Sequence, residues 1–359
     1  MEITKIIKHK FPYNWNLKDG YPAKGIKPNN LNVFGTFICG GGSTMGYKLA
    51  GFNHLGGVEI DPKVANVYKE NHKPKYLYIE DIREFVKRKD LPKELYNLDI
   101  LDGSPPCSSF SMTGNREKDW GKQKVFKEGQ SKQILDNLFF EYIELAKKLQ
   151  PKVVIAENVR VLINGNAKSY VHKIKKGFED AGFKVQLFLL NAATMGVPQK
   201  RERVFFICQR KDLKMQDLKF NFNEPSINIG SLQCKIIGKP ISNYDIENYY
   251  QYKISTDKGL DDINIRINGK QGRFGSYLLN DCDVCNTIVS ADGNKYYLHK
   301  SPHCLSKEAI IQIGSFPTNY NFGKINEQYL IGMSVPPVMT AQIAHQIYLQ
   351  WFIKLKTNA

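Results

Sequence analysis

Four short stretches of this 359-residue chain combine residue types that do chemistry. In DGSPPCSSFS, Asp102–Ser111, two prolines stiffen the backbone directly before Cys107. A cysteine fixed on such a turn acts as a nucleophile when its thiolate is stabilised, and packs as a small apolar residue when it is not. In AENV, Ala156–Val159, Glu157 closes an apolar run. A poorly solvated carboxyl there holds protons more tightly and suits acid catalysis; a capping or salt-bridging role is the plainer reading. In GVPQKRERVFFI, Gly196–Ile207, the alternation of Gln199, Arg201 and Arg203 puts them on one face of an extended segment. Two guanidinium groups so placed suit a phosphate or a polar ring edge, or else form a solvated basic edge. In FICGGGSTMG, Phe37–Gly46, consecutive glycines precede a helix start, and Glu59 follows Gly42 by 17 residues. A glycine turn that admits a ligand to the backbone, with a carboxylate able to take two ribose hydroxyls, points to a nucleoside-containing cofactor; a tight turn with an ordinary surface Glu is the alternative.

These groups need a frame. Asn32–Ile38, a run ending near Ile60, Tyr76–Ile79, Asn97–Asp102, Val153–Val159, Val185–Leu190 and Val204–Cys208 read as strands. Between them Thr44–Ala50, Asp61–Glu70, Ser131–Leu149 and Val171–Ala181 read as helices, with Ser131 as a cap and Pro151 beyond the end. Strands alternating with helices predict an α/β fold whose mostly parallel sheet is covered on both faces, with the chemistry at the carboxyl ends of the strands. The boundaries drawn from composition are a basic extension over 1–31, a catalytic and cofactor-binding domain over 32–210, a smaller loop-rich domain over 211–300, and a C-terminal segment over 301–359. The last segment carries helical patterns at Ser306–Ile313 and Pro337–Lys356, the second returning to the first domain.

The chain carries 51 Lys and Arg against 35 Asp and Glu, a net +16, which favours a polyanionic partner over a simple solubility surplus. Residues 211–300 hold 12 basic against 11 acidic residues, so the surplus lies elsewhere. The 1–31 segment is basic and is expected either to touch a polyanion or to be solvated. No apolar run is long enough for a membrane span and no secretion signal is evident, and seven cysteines without framework spacing read as reduced thiols, so a cytoplasmic protein is expected. Cys282, Cys285, His303 and Cys304 offer four zinc-type ligands, but His303 and Cys304 are adjacent, so no metal is expected.

Taken in order, these motifs resemble the DNA cytosine-5 methyltransferase family, of the bacterial and phage modification type. The resemblance covers most of 31–210 and returns in LSKEAIIQIGSFPTNY, Leu305–Tyr320, with Glu308 and Phe316-Pro317, and in YLIGMSVPPVM, Tyr329–Met339. It implies a Rossmann-like S-adenosylmethionine-dependent sheet with a target-recognition domain over 211–300. It implies that Cys107 adds to carbon-6 of a flipped cytosine, that Glu157 serves ring nitrogen 3, that Arg203 contacts the base carbonyl, and that Arg201 supports them. Ser111, which ends the nucleophile motif, is counted with this catalytic set. For S-adenosylmethionine it implies Phe37, Gly40, Gly41 and Gly42 in the loop, Glu59 on the ribose and Ile60 over the adenine. Asp81 and Ile82 would lie at the adenine edge, with Pro105, Leu138 and Ser334 as further contacts. The basic loop Met112–Gln130 corresponds to the one that closes over the base.

The implied partner is double-stranded DNA, bound by a monomer, with a restriction endonuclease as a genetic rather than physical partner. Three positions depart from the family pattern: Cys39 stands for a glycine, Met333 for an asparagine, and Ile311 where arginine is frequent. The first two fall in the expected cofactor site and the third at the joint between domains; none removes a bond-making group. Competing readings are methylation of transfer RNA, a DNA-binding homologue with impaired catalysis, and a nicotinamide oxidoreductase, which leaves Cys107, Glu157 and the arginines without a purpose.

Overall fold

The computed structural model describes residues 9–106, 137–163, 168–290 and 295–357. Cys107, Ser111, the 112–130 loop and the expected cap Ser131 lie outside the described residues. The chain separates into two compact units. The larger draws on 20–191, 202–222 and 339–359, and the smaller on the N-terminal residues to 19, 192–201 and 223–338.

The larger unit is built on strands β1 (Asn32–Thr36), β2 (Asn53–Glu59), β3 (Tyr76–Ile79), β4 (Ile100–Gly103), β5 (Val153–Val159), β6 (Phe183–Asn191) and, after the short β7 (Gln199–Lys200), β8 (Glu202–Arg210). Seven of them form one sheet in the order β3-β2-β1-β4-β5-β8-β6. The first five are parallel, and β8 runs antiparallel between β5 and β6. The expected mostly parallel sheet is therefore present, with an antiparallel strand inserted near one edge. Its strand order reverses between β1 and β4, where an open α/β sheet leaves a crevice at the carboxyl ends.

The helices are α1 (Gly42–Leu49), α2 (Pro62–His72), α3 (Ile82–Lys87), α4 (Leu138–Leu149) and α5 (Lys168–Asp180). Local chemistry sets their starts. The Asp61 carboxylate accepts from the N–H groups of Lys63 and Val64, with Pro62 in the first turn, and Asp81 accepts from that of Arg83. Helix α3 is too short to announce itself by periodicity, and its cap is the signal that marks it. Helix α4, the described part of the helix expected over Ser131–Leu149, buries Leu138, Phe139, Tyr142, Ile143, Leu145, Ala146 and Leu149 in a core shared with Phe34, Leu101, Val154 and Phe206.

The smaller unit holds β9 (Ile237–Pro240), β10 (Tyr277–Leu279), β11 (Cys285–Asn286), β12 (Tyr296–Leu298) and β13 (His303–Leu305), with helices α6 (Asn243–Asn248), α7 (Leu260–Asn268), α8 (Lys307–Ile313) and α9 (Glu327–Met333). Strands β10-β12-β13-β9 form a four-stranded sheet, and β11 pairs with β7. Its core includes Tyr249, Tyr250, Leu260, Ile263, Leu278 and Tyr297.

Two expectations are corrected here. Residues 9–19 are no solvated extension: Phe11 is fully buried, the Trp15 indole donates to the Ser315 carbonyl at 3.0 Å, and His9 Nδ1 lies 3.1 Å from Glu224 Oε2. Lysine-rich composition concealed four buried or nearly buried aromatic and histidine anchors. The segment 199–203 is also not one strand with one face. It breaks at Arg201, so that β7 pairs in the smaller unit and β8 in the large sheet.

Candidate active site

The carboxyl edge of the large sheet gathers the glycine turn after β1, Glu59 at the end of β2, the proline turn after β4 and Glu157 near the end of β5. Phe37, Cys39 and Gly41 all have left-handed backbone, with φ of 53°, 46° and 74°. The glycine usual at the Cys39 position is explained by that angle, which Cys39 adopts despite its side chain. At Gly41 no side chain fits, because a Cβ would stand 2.2 Å from His72 Nε2. His72 thus braces the turn from behind, and it also hydrogen-bonds the backbone of Gly40; burial depresses its pKa to about 3, so the ring is neutral.

Glu59 faces this turn. Its Oε2 accepts the Cys39 N–H at 2.9 Å and its Oε1 that of Asp61 at 3.0 Å. Burial raises its pKa while those N–H groups pull the other way. The Ile60 N–H bonds Glu59 too, yet a carboxylate offers about four lone-pair sites, so room remains to accept from a ribose hydroxyl. The residues present therefore fit a nucleoside-bearing cofactor. Gly40 and Gly42 lie in the turn and at the first position of α1, and Ile60 is half-buried beyond Glu59.

The other residues expected around a cofactor have defined surroundings. Asp81 caps α3 with one oxygen and pairs with Arg83 Nη1 at 2.8 Å with the other. Ile82 and Leu138 are buried in the core of the larger unit. Ser334, in the smaller unit, donates its hydroxyl to the Leu330 carbonyl at 2.8 Å. Met333, which ends α9, is 42% exposed.

At β5 the chemistry is ionic. Arg203 sits diagonally across from Glu157 in the β5–β8 ladder, where Glu157 is opposite Phe205, so both side chains share a face. Arg203 Nε meets Glu157 Oε1 at 2.9 Å, and both side chains are nearly buried, 13% and 12% exposed. Desolvation lowers the Arg203 pKa, and the Glu157 charge offsets part of that effect. The next residue, Asn158, donates its amide to the Pro105 carbonyl at 3.0 Å and so pins the turn that leads to Cys107. Its position directly after Glu157 is the only sequence sign of this role.

Beneath the same edge Asp102 accepts the Tyr47 hydroxyl at 2.9 Å and is also bonded by Ser43, tying α1 to the end of β4. Burial, opposed by Tyr47, lifts its pKa to about 7. Motif reading had passed over Asp102, His72 and Tyr47, which carry no signature of their own.

Arg201 does not join Arg203. It is 2% exposed and donates to the carbonyls of Ile288 at 2.9 Å and Gly332 at 2.8 Å, all within the smaller unit. Gln199 beside it accepts the Ile288 N–H at 3.0 Å. Of the cysteines weighed as metal ligands, Cys282 is exposed, while Cys285 and Cys304 are buried on different strands.

Comparison with known proteins decides the family. The family model for C-5 cytosine-specific DNA methylase matches residues 31–349. The chain belongs to the C-5 cytosine-specific DNA methylase family. This methylase is 27% identical over 350 residues to the type II methyltransferase M1.HphI of Haemophilus parahaemolyticus, covering 92% of the chain and 88% of that protein. It is 28% identical over 354 residues to the type II methyltransferase M.NgoPII of Neisseria gonorrhoeae, covering 89% and 96%. Its fold is shared with the crystal structure of DNMT2 from Spodoptera frugiperda, at a TM-score of 0.57 and 17% identity over 89% of the chain and all of that protein. Family membership makes it a DNA cytosine-5 methyltransferase and implies S-adenosylmethionine as the methyl donor. Among the described residues no helix is long and apolar enough to cross a membrane.

Proposed function

We propose that this methylase flips a cytosine out of double-stranded DNA and methylates its carbon-5, with Cys107 as the nucleophile. The buried Glu157–Arg203 pair at 2.9 Å is the observation that supports this most directly. A charged pair on one face of adjacent strands, away from water, suits a flat polar ring better than a solvent-exposed role. In this reading the Cys107 thiolate bonds to ring carbon-6, and Glu157 places a proton at ring nitrogen 3, where the displaced electron pair would otherwise leave charge. Carbon-5 thereby becomes nucleophilic. After methylation, loss of the carbon-5 proton restores the double bond and expels Cys107. Arg203 donates to the base carbonyl while it fixes the orientation of Glu157. Arg201 is a positioning residue, holding the chain just after β7 to the Ile288 and Gly332 carbonyls. Ser111 and the 112–130 loop are assigned to the same site by their place in the motif.

S-adenosylmethionine, when bound, supplies the electrophilic methyl group. Glu59 would hold its ribose, the Phe37–Gly42 turn would lie along it, and Ile60, Asp81, Ile82, Pro105 and Leu138 would lie around it; Ser334 is assigned to the cofactor by its motif alone. Sequence choice is assigned to the 211–300 region. The type II relatives support a paired restriction endonuclease as a genetic partner; that the methylase is a cytoplasmic monomer of bacterial or phage origin is part of the same proposal.

Purified protein is expected to transfer labelled methyl from S-adenosylmethionine to duplex DNA, and Cys107→Ala to abolish the transfer. Duplex DNA with 5-fluorocytosine at the target is expected to trap a covalent adduct, since fluorine cannot leave as the proton does. Transfer to RNA alone overturns the substrate, and methylation by the Ala variant overturns the covalent mechanism.

A further inference from the structure

The most exposed large apolar side chain among the described residues is Phe274, at 68%. It lies in the connection from α7 to β10, within the sequence Gly269-Lys270-Gln271-Gly272-Arg273-Phe274-Gly275. An exposed phenylalanine on a loose loop would mean little, but the backbone on both sides of this one is fixed. Gly269 closes α7 with φ of 69°, and Gly275 turns the chain with φ of 79°. An added Cβ at either glycine would meet nothing within 4 Å, so the connection projects into open space. Between them the N–H groups of Gly272 and Arg273 both donate to Asp261 Oδ1, at 2.9 and 3.0 Å. The Arg273 guanidinium lies over the Tyr249 ring at 4.6 Å and the Tyr244 ring at 5.1 Å, and its Nη2 meets Asp245 Oδ1 at 2.9 Å. On the other side, the Ser276 N–H donates to the Arg273 carbonyl at 3.2 Å.

The arginine charge is thus neutralised and stacked inward, while the neighbouring phenyl ring is held outward and uncovered. Water disfavours that arrangement, and the fixed backbone keeps the Phe274 Cα on the outer side of the connection. A pre-positioned aromatic ring of this kind loses little conformational entropy when a flat partner arrives. The 211–300 region is nearly neutral, with 12 basic and 11 acidic residues, so an electrostatic grip on phosphates is weak there and stacking has to contribute more.

Resting on the DNA reading given above, we propose that Phe274 is a DNA-contacting residue that inserts at a base step of the duplex recognised by this methylase and covers a base face opened by partial unstacking. Arg273 is its positioning residue, clamped between Tyr244, Tyr249 and Asp245 so that the ring faces outward. Lys270 and Gln271, exposed on the same connection, flank the contact.

The test measures binding of the full-length protein to a duplex carrying its methylation site, mapped beforehand by bisulfite sequencing of DNA from expressing cells. Phe274→Ala is expected to weaken duplex binding about tenfold, which is 1.4 kcal/mol, with S-adenosylmethionine affinity and melting temperature unchanged. Phe274→Trp is expected to restore binding, and its indole fluorescence to be quenched on adding the duplex, whereas Phe274→Leu is expected not to restore it. Arg273→Ala is expected to weaken binding alone and to add nothing to Phe274→Ala in the double variant. Unchanged duplex affinity in Phe274→Ala, an unquenched tryptophan, or full restoration by leucine each overturns the proposal. If the native protein methylates no DNA at all, the substrate reading itself fails; if it does and Phe274→Ala behaves as native, only this inference fails.

Discussion

The two units differ in where their most conspicuous residues stand. In the larger unit the ionisable groups near the sheet edge are inside: Glu157 with Arg203, Asp102 with Tyr47, and Glu59 under the glycine turn. In the smaller unit apolar groups stand outside, with Phe274 at 68% exposed and Tyr244 at 60%. Burying charge weakens the competition from water, so each hydrogen bond acts more strongly on a reacting ring. Presenting apolar surface does the reverse, leaving affinity unused until a partner covers it. On the reading proposed above, the first arrangement serves bond-making and the second recognition.

If the larger unit depends on buried pairing, breaking the pair has the largest effect. Arg203→Ala leaves Glu157 buried without its partner, so denaturant unfolding is expected to show a loss of about 3 kcal/mol or more. Methyl transfer in single-turnover assays should fall about 10²–10⁴-fold. Glu157→Gln keeps the shape without the proton chemistry and is expected to lose transfer with a smaller loss of stability. If both variants remain active, the pair has no part in the reaction. Next in size, Glu59→Gln is expected to weaken S-adenosylmethionine binding about tenfold by calorimetry while leaving duplex affinity as it was. Equal loss of both affinities would mean that Glu59 supports the fold rather than the ligand.

A smaller effect is expected from Asn158→Ala, which frees the Pro105 carbonyl and costs about 1 kcal/mol of stability. Its signature is a drop in kcat with little change in KM, because the turn leading to Cys107 loses its restraint. The subtlest effect is one of pH. With its pKa lifted to about 7 by burial, Asp102 is held protonated in the folded state where the unfolded chain has already ionised. The folded state then binds the extra proton, so this group's contribution falls as pH rises from the ordinary carboxylate range to about 7 and is level above it. The melting temperature of the native protein relative to Asp102→Asn is therefore expected to decline between pH 5 and pH 7, a window set by that same lifted value. A pH-independent difference would place Asp102 outside this coupling.

Legibility from sequence followed the same division. Strand β5 and helix α4 are plain in the sequence because their apolar periods are long, and Glu157 and Arg203 stand out there because each ends or begins such a run. Arg201 shows where that reading stops. Alternation placed it beside Arg203, yet the chain changes sheets between Lys200 and Glu202, and no local pattern carries that information. Residues 9–19 failed for a related reason: their lysines dominate the composition, while their placement depends on partners such as Ser231, Ser315 and Asn319, far along the chain. His72 and Asp102 were missed because their importance lies in what they touch, a glycine that admits no side chain and a helix that must meet a strand.

The hydrogen bond from Trp15 to Ser315 has a consequence for biosynthesis. Its partners are 300 residues apart, so the indole leaves the ribosome long before the carbonyl that receives it. At about 5–20 residues per second, that delay is about 15–60 s. Throughout that interval Phe11 and Trp15 are greasy side chains on a lysine-rich tether with no native seat. The lysines that disguise this segment in the sequence place charge beside those side chains during that interval, which opposes their association with other chains.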